Sequence, residues 1–357
     1  LDDYSCLRNL NSVVTEGTNT LFSVRDAWWY IPSTPMQAKG MPSAGSTSYK
    51  GDNPPFGAVF TYYLADVPQT AKQARQKKEN ELRKQETSIP FPGWETLREE
   101  STEAAPQVML LVKDESGNPA RWIKGSKSKG LHRVNWDLRL PAPNAIDLTK
   151  RTFNPPRASD PQGPLVAPGT YNVQLFIAYN GTMTAQGEPQ SFEVKPVPGI
   201  AQDMDFQAVS AFQLKTHRLL VDMSSAGRKL SEANGRLRLL KAALMQTPKA
   251  TSDHFAALQS LKKQLSGLRM ELYGDQIRSR FDESTLPSLY GRAQKAAGSW
   301  GTTQAPTETF KEALELATEG YQEFRPKLKA YLSELEGFEQ NMEEAGAPYT
   351  SGRKFGE

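Results

Sequence analysis

The C-terminal part of the chain shows a regular helical pattern of apolar positions. Over residues 209–244, apolar and small side chains recur at steps that alternate between three and four, and residues 255–272 and 310–342 repeat this spacing. Such a repeat is typical of helices that pack along a shared seam. Thr309 and Glu312 fit a capping box before the last helix, and a shorter helix is predicted over about residues 285–297. The pattern predicts an up-down four-helix bundle.

The part of the chain before residue 200 carries strand signals instead. Short runs rich in Val, Tyr, Phe and Trp are separated by turn signals such as Asn180-Gly181, which favours a tight hairpin. The runs lie at residues 58–64, 107–113, 119–124, 132–138, 170–179 and 190–195. They predict an immunoglobulin-like antiparallel β-sandwich. The expected fold class is therefore α+β and multidomain, with the sandwich followed by the helical bundle.

The domain boundaries follow from these two patterns. The sandwich is assigned to residues 56–195, with a charged, helix-prone insertion at 68–104 and a second insertion at 141–168 that is rich in Pro, Asn and Asp. Charged stretches of the first kind are usually solvated helices. Linkers are predicted at 33–55 and 196–202, the bundle at 203–345 and a C-terminal tail at 346–357.

Composition narrows the class of function. The 43 Lys and Arg residues against 40 Asp and Glu residues give a net charge of +3, a balance that argues against a protein built to hold nucleic-acid phosphates. No run approaches the roughly 18 apolar residues of a membrane span. We therefore expect no nucleic-acid partner and no membrane insertion. The single cysteine, Cys6, excludes an internal disulfide and a multi-cysteine metal site.

A search for catalytic chemistry assigns no residue. The histidines His132, His217 and His254 are far apart, and none has a second ligand at metal-binding spacing. The sequence contains no G-x-S-x-G motif, no P-loop and no dinucleotide-binding glycine motif, the patterns that mark common nucleophiles and phosphate sites. We predict no catalytic residue, no metal ligand and no cofactor for this chain. Whether the intact protein is an enzyme stays open.

One cluster combines basic and aromatic side chains on a predicted hairpin. Its members are Arg121, Trp122, Lys124, Lys127, Lys129 and Arg133. Such interleaving can bind nucleic acid or an acidic glycan, and the cluster is the candidate binding site. The alternative interpretation is a solvated hairpin whose tryptophans, Trp122 and Trp136, alternate into the core.

Several strand motifs resemble a known family. The segments GDNPPFGAVFTYYL at 51–64, GLHRVNWDLR at 130–139 and LVAPGTYNVQL at 165–175 resemble the C-terminal region of bacterial sortilin/VPS10-like, BNR-repeat "glycosyl hydrolase" propeller proteins. LDDYSCLRNL at 1–10 and GAPYTSGRKFGE at 346–357 also look like segments of that family. The middle block is similar to the immunoglobulin-like domains of flagellar hook-capping proteins. We interpret the motif residues as structural, with Trp136 and Tyr171 in the core.

The resemblance implies a location and a role. Residues 1–32 would end an upstream β-propeller or connect to it, and the protein would be exported to the periplasm, the outer-membrane surface or the medium. This chain would then be a non-catalytic accessory region that braces the propeller and binds a protein partner such as another envelope protein. Two alternatives stay open: the C-terminal part of a glycan-active hydrolase whose catalytic residues lie upstream, and a carbohydrate-binding module. Fold analogy alone does not establish an activity.

Overall fold

The fold is a mixture of helices and sheets divided into two compact units. A computed structural model describes Ser5, Arg8 and residues 10–32, 54–149, 160–199 and 204–353. The first unit comprises Leu1–Pro141 and Leu165–Asp203, and the second comprises Ala142–Pro164 and Met204–Glu357. Cys6, most of the predicted linker at 33–55, the end of the linker at 196–202 and the last four residues of the tail lie outside the described residues.

The first unit contains two β-sheets. The strands are β1 (Thr20–Leu21), β2 (Ala27–Trp29), β3 (Ala58–Leu64), β4 (Gln107–Asp114), β5 (Pro119–Gly125), β6 (Gly130–Trp136), β7 (Gly169–Tyr179) and β8 (Thr182–Pro196). One sheet has the order β1-β3-β6 and the other has the order β2-β8-β7-β4-β5. All of these pairs are antiparallel except the parallel pair β2–β8. The same unit holds three helices, α1 (Leu10–Glu16), α2 (Ala71–Lys84) and α3 (Trp94–Thr102).

An aromatic core joins the two sheets. Trp136 on β6 contacts Tyr171 on β7 at a ring distance of 5.7 Å, and Phe60 on β3 contacts Phe192 on β8 at 5.6 Å. All four rings are buried, as the period-two alternation of half-buried strands requires. The Tyr171 hydroxyl donates to the Ala167 carbonyl at 2.8 Å, which fixes the chain at the start of β7. Trp136 and Tyr171 therefore fill the core, in agreement with the interpretation of the motifs.

The N-terminal segment belongs to the sheets, in contrast to the sequence-based division. Residues 1–32 were predicted to lie outside the sandwich, as a propeller end or connector. In the structure, β1 pairs with β3 and β2 pairs with β8, and the Trp29 indole nitrogen donates to the Val166 carbonyl at 2.8 Å. Strands of two and three residues are too short to show the alternation on which the prediction depended.

The second insertion of the predicted sandwich is also divided differently. The described residues of this insertion from 142 to 149 and from 160 to 164 belong to the second unit, where the Ala145 N–H donates to Ser224 Oγ at 2.7 Å. The chain returns to the first unit at Leu165, which forms a bridge with Arg139, and Val166 donates its N–H to the Leu138 carbonyl at 2.8 Å. The sequence predicted one insertion at 141–168 and missed that the chain passes to the second unit and back. Contacts to a distant helix leave no local periodicity from which this could be predicted.

The second unit is helical. Its helices are α4 (Phe206–Leu244), α5 (Ser252–Tyr273), α6 (Gln276–Arg280), α7 (Leu289–Ala297) and α8 (Glu308–Glu344). Side chains from α4, α5, α7 and α8 share one core, in which Met223, Leu230, Leu272 and Phe324 are buried. The last helix begins at Glu308 with Thr307 as its cap, whose hydroxyl accepts the Phe310 N–H at 3.4 Å. The predicted cap at Thr309 was therefore wrong by two positions.

Candidate functional site

The predicted basic and aromatic cluster does not form one surface. Its strands β5 and β6 belong to different sheets, because residues 126–129 cross from one sheet to the other instead of forming a hairpin turn. Arg133 pairs with Thr61 of β3, on the face of the three-stranded sheet opposite to the core residue Trp136. Arg121 pairs with Val112 of β4. The prediction that these residues lie on a single hairpin was therefore wrong.

Trp122 and Lys124 lie on the outer face of the five-stranded sheet. Trp122 pairs with Leu111 and contacts the ring of Phe176 at 5.7 Å. It is 45% exposed, so the alternative interpretation, in which Trp122 enters the core, was wrong for this residue. Lys124 pairs with Met109 on the same face. This face carries aromatic and basic groups together, but Lys127, Lys129 and Arg133 are not part of it.

Lys127 and Lys129 line a cleft that sequence reasoning did not anticipate. The cleft has a volume of about 380 Å³, and its lining consists of Val67, Pro68, Gln69, Gln73, Lys77, Pro106, Lys127 and Lys129. We call it the lysine cleft. One side is formed by α2 and the residues before it, and the other by the loop between β5 and β6. Lys77 comes from the charged insertion, some 50 positions before Lys127 in the chain, so no sequence spacing joins them.

The loop that carries two of these lysines is anchored at both ends. The Tyr62 hydroxyl donates to the Ser126 carbonyl at 2.9 Å, and His132 Nε2 donates to the Ser128 carbonyl at 2.6 Å. The rings of Tyr62 and His132 lie 5.3 Å apart. Burial raises the pKa of Tyr62, so its hydroxyl remains a donor at neutral pH. Lys129 forms an ion pair with Asp66 at 2.8 Å.

The other side of the cleft belongs to a pair of helices that we call the helical arm (residues 71–102, α2 and α3 with their connection). The arm corresponds to the predicted charged insertion. Arg75 on α2 donates from Nε and Nη2 to the two carboxylate oxygens of Glu100 on α3, each at 2.7 Å. The Glu103 carboxylate accepts the Ala71 N–H at 2.7 Å and also the Tyr179 hydroxyl. The base of the arm is therefore attached to β7 by charged and polar groups.

The far end of the arm exposes aromatic side chains. We call Ile89, Phe91 and Trp94 the aromatic tip. Phe91 and Trp94 contact each other edge to face at 5.0 Å, yet they are 61% and 70% exposed. Sequence reasoning treated this region only as a charged insertion and missed the tip. The segment SIPFPGW was the available signal, since apolar residues between prolines in an otherwise charged stretch have no helical role.

Polar groups inside the helical unit serve its packing. Arg236 on α4 donates from Nε to Glu339 on α8 at 2.7 Å and makes a second bond to the other carboxylate oxygen. Glu339 raises the pKa of Arg236, so the guanidinium stays charged. His217 lies 6.1 Å from the Trp300 ring, and His254 contacts the cap residue Thr251. Of the described residues, no group of three His, Cys, Asp or Glu side chains is arranged to hold a metal ion.

None of the helices in the described ranges is both long and apolar enough to cross a membrane. Comparison with protein-family models, curated proteins and solved structures finds no match for this chain. The resemblance to propeller proteins therefore stays a prediction that depends on the strand motifs alone.

Proposed function

We propose that this chain is a non-catalytic accessory region of an exported bacterial propeller protein, which braces the propeller and binds a protein partner. In this proposal the first unit is an immunoglobulin-like sandwich and the second is an up-down four-helix bundle. The sandwich assignment is supported by two facing sheets with an aromatic core and by the Tyr171 hydroxyl bonded four residues upstream, as in a tyrosine corner. The shared core of α4, α5, α7 and α8 supports the bundle.

The observation that carries the proposal is the aromatic tip. Exposed aromatic side chains that contact each other at the end of a polar stem are costly to hydrate, and clustered exposure of this kind marks interaction surfaces. No residue of α2 is buried, and Glu100 is the buried residue of α3. The arm thus adds little to the core of its own unit. Its length, about 21 Å for the 14 residues of α2, instead holds the tip away from the sheets.

The chemistry of the tip favours a protein surface as its target. Trp and Phe are typical anchors at the centre of protein interfaces, where polar groups form the rim. Here the Arg98–Glu95 ion pair, at 3.0 Å and exposed, lies one turn from Trp94. A pocket on the propeller or on an envelope partner that accepts the Phe91 and Trp94 rings would bury them together.

Hydrogen exchange tests the proposal. The amides of residues 88–94 would be compared between this 357-residue chain and a longer protein in which the propeller that the proposal places before Leu1 is present. We expect these amides to exchange more slowly in the longer protein and to lose that protection in a Phe91→Ser, Trp94→Ser variant. Trp122→Ser, which alters another exposed tryptophan, is the matched control and should leave the protection unchanged. Equal exchange in both proteins would overturn the bracing role of the tip.

A further inference from the structure

We propose that the lysine cleft binds a tetrahedral oxyanion, the phosphate or sulfate ester of a sugar-sized molecule. This inference is independent of the bracing role proposed above, because the cleft lies at the base of the helical arm and not at its tip. It depends on four observations: the charges that face the cleft, its amide donors, its apolar floor, and the fixed position of both sides.

The charges that face the cleft are positive in sum. Lys77, Lys127 and Lys129 contribute three ammonium groups, and Asp66 neutralises one of them through its 2.8 Å contact with Lys129. Among the described residues, Lys77 and Lys127 have no ion-pair partner. Two uncompensated charges that line the same cleft suit a doubly charged anion, since Coulomb attraction grows as the separation between opposite charges falls.

Amide groups supply further donors. Gln73 completes the capping box of α2: its Oε1 accepts the Thr70 N–H at 3.1 Å, which leaves its side-chain NH2 group to donate. Gln69 lines the cleft beside it, and its backbone carbonyl accepts the Tyr179 hydroxyl at 3.1 Å. A phosphate or sulfate group has more acceptor oxygens than one lysine can satisfy. A set of lysine and amide donors therefore matches a phosphate or sulfate better than it matches a single carboxylate.

The buried part of the lining, which we call the floor, is apolar. It consists of Val67 and Pro106, whereas Pro68, which also lines the cleft, is exposed. The volume of about 380 Å³ falls at the lower end of the range found for small-molecule sites. A free inorganic ion would leave most of this space to water. An ester that carries a ring or short chain would place its charged group between the lysines and its body on the floor.

Both sides of the cleft are held in place before any ligand arrives. The loop of Lys127 is bonded to Tyr62 and His132, and α2 is held by Arg75, Glu100 and Glu103. A preorganised site loses less conformational entropy on binding. The lysine side chains themselves remain the flexible element.

Titration at low salt tests the proposal. The probes are glucose 6-phosphate, glucose 6-sulfate, inorganic phosphate and glucose, followed by the ¹⁵N amide resonances of residues 66–77 and 125–130. We expect both esters to bind more tightly than inorganic phosphate, and glucose not to bind. The two esters separate a phosphate source from a sulfate source. No shift with either ester, or equal shifts with glucose, would overturn the proposal.

Variants locate the binding site. The double variant Lys77→Ala, Lys127→Ala should weaken ester binding about ten-fold, because it removes two charge contacts that each contribute modestly to the binding free energy. Lys78→Ala with Lys124→Ala removes two neighbouring charges that do not line the cleft, and should change binding by less than about two-fold. Asp66→Asn frees the Lys129 ammonium and should strengthen binding about two- to three-fold. If both double variants weaken binding equally, the attraction is a general effect of the basic surface and the site does not exist.

Discussion

Arg75 and Glu100 join the two helices of the arm through two parallel hydrogen bonds, from Nε and Nη2 to the two oxygens of one carboxylate, each 2.7 Å long. Arg75 also contacts Glu79 one turn further along α2 at 2.5 Å. Because α2 buries no residue, this charged contact and not apolar packing sets the position of α3 against α2. The aromatic tip and the lysine cleft both depend on it.

The stability of this contact should depend on pH. Arg75 holds the pKa of Glu100 below its ordinary value of 4.5. The unfolded chain therefore binds a proton at higher pH than the folded chain, and the contact stabilises the folded state fully above about pH 4.5 and is lost as the pH falls through the lower folded value. Glu100→Gln should reduce the free energy of unfolding at pH 7, and its deficit relative to the wild type should shrink as the pH falls below about 4.5. Urea denaturation across this range is the measurement.

Glu99 is the matched control for that experiment. It precedes Glu100 on α3 and is exposed, so Glu99→Gln should follow the wild-type curve at every pH. A Glu100→Gln deficit that stays constant from pH 7 to pH 3 would contradict the assignment of the pH dependence to this carboxylate.

Loss of the Arg236–Glu339 ion pair should destabilise the helical unit more strongly than loss of an exposed ion pair. The Glu339 side chain is only 4% exposed, and removal of one partner from a buried pair leaves the other charge uncompensated. Arg236→Met should lower the free energy of unfolding by about 3 kcal/mol. The exposed pair Lys311–Glu308 is the control, and Lys311→Met should cost less than about 1 kcal/mol. Equal losses would show that burial of the first pair has no energetic consequence.

Removal of the hydroxyl group from two buried tyrosines should change stability in opposite directions. The Tyr331 hydroxyl has no hydrogen-bond partner in the part of the chain that the structure describes, and burial raises the pKa of Tyr331 to about 12. Tyr331→Phe should therefore stabilise the helical unit by about 1 kcal/mol. Tyr171→Phe removes the bond to the Ala167 carbonyl and should destabilise the first unit by about 1 to 2 kcal/mol. Thermal unfolding of both variants checks the signs, and a loss of stability in Tyr331→Phe would be the contrary result.

Gly57 lies at a backbone position that should not tolerate a residue with a side chain. Its φ of +107° is in the region that favours glycine, and an added Cβ would lie 1.9 Å from the Trp136 carbonyl oxygen. Gly57→Ala should destabilise the first unit by about 3 kcal/mol, because neither backbone can move away. Gly235 on α4 has no atom within 4 Å of such a Cβ, so Gly235→Ala should stabilise the helix by about 1 kcal/mol. Urea midpoints of the two variants would be compared.

Periodicity determined how much of the fold could be predicted. The run at 58–64 matches β3, and the first helix was predicted to within a few residues of α4, because a long repeat of Leu and Ala has one consistent period. Asn180-Gly181 forms the predicted tight turn, with φ values of +46° and +77°. The short strands β1 and β2, by contrast, are defined by partners about 40 and 167 positions away, and no local pattern carries that information.

The candidate site was less predictable for a related reason. The basic residues of 121–133 are close in sequence, but alternation and a change of sheet send Trp122, Lys127 and Arg133 to different surfaces. The lysines that line the same cleft, Lys77 and Lys127, come from an insertion and a loop. The segment SIPFPGW marks Phe91 and Trp94 as apolar residues without a helical role, but their exposure depends on how the helical arm is placed, which no local pattern gives.

The parallel pairing of β2 with β8 has a consequence for how the protein is made. Ala27 pairs with Val194, and the Glu193 N–H bonds to Asp26 across 167 residues of chain. Synthesis proceeds from the N-terminus, so β2 leaves the ribosome long before its partner exists. Large sequence separation of this kind slows folding. The five-stranded sheet can close only after translation has passed residue 196, and until then β2 is without the strand that it pairs with in the folded protein.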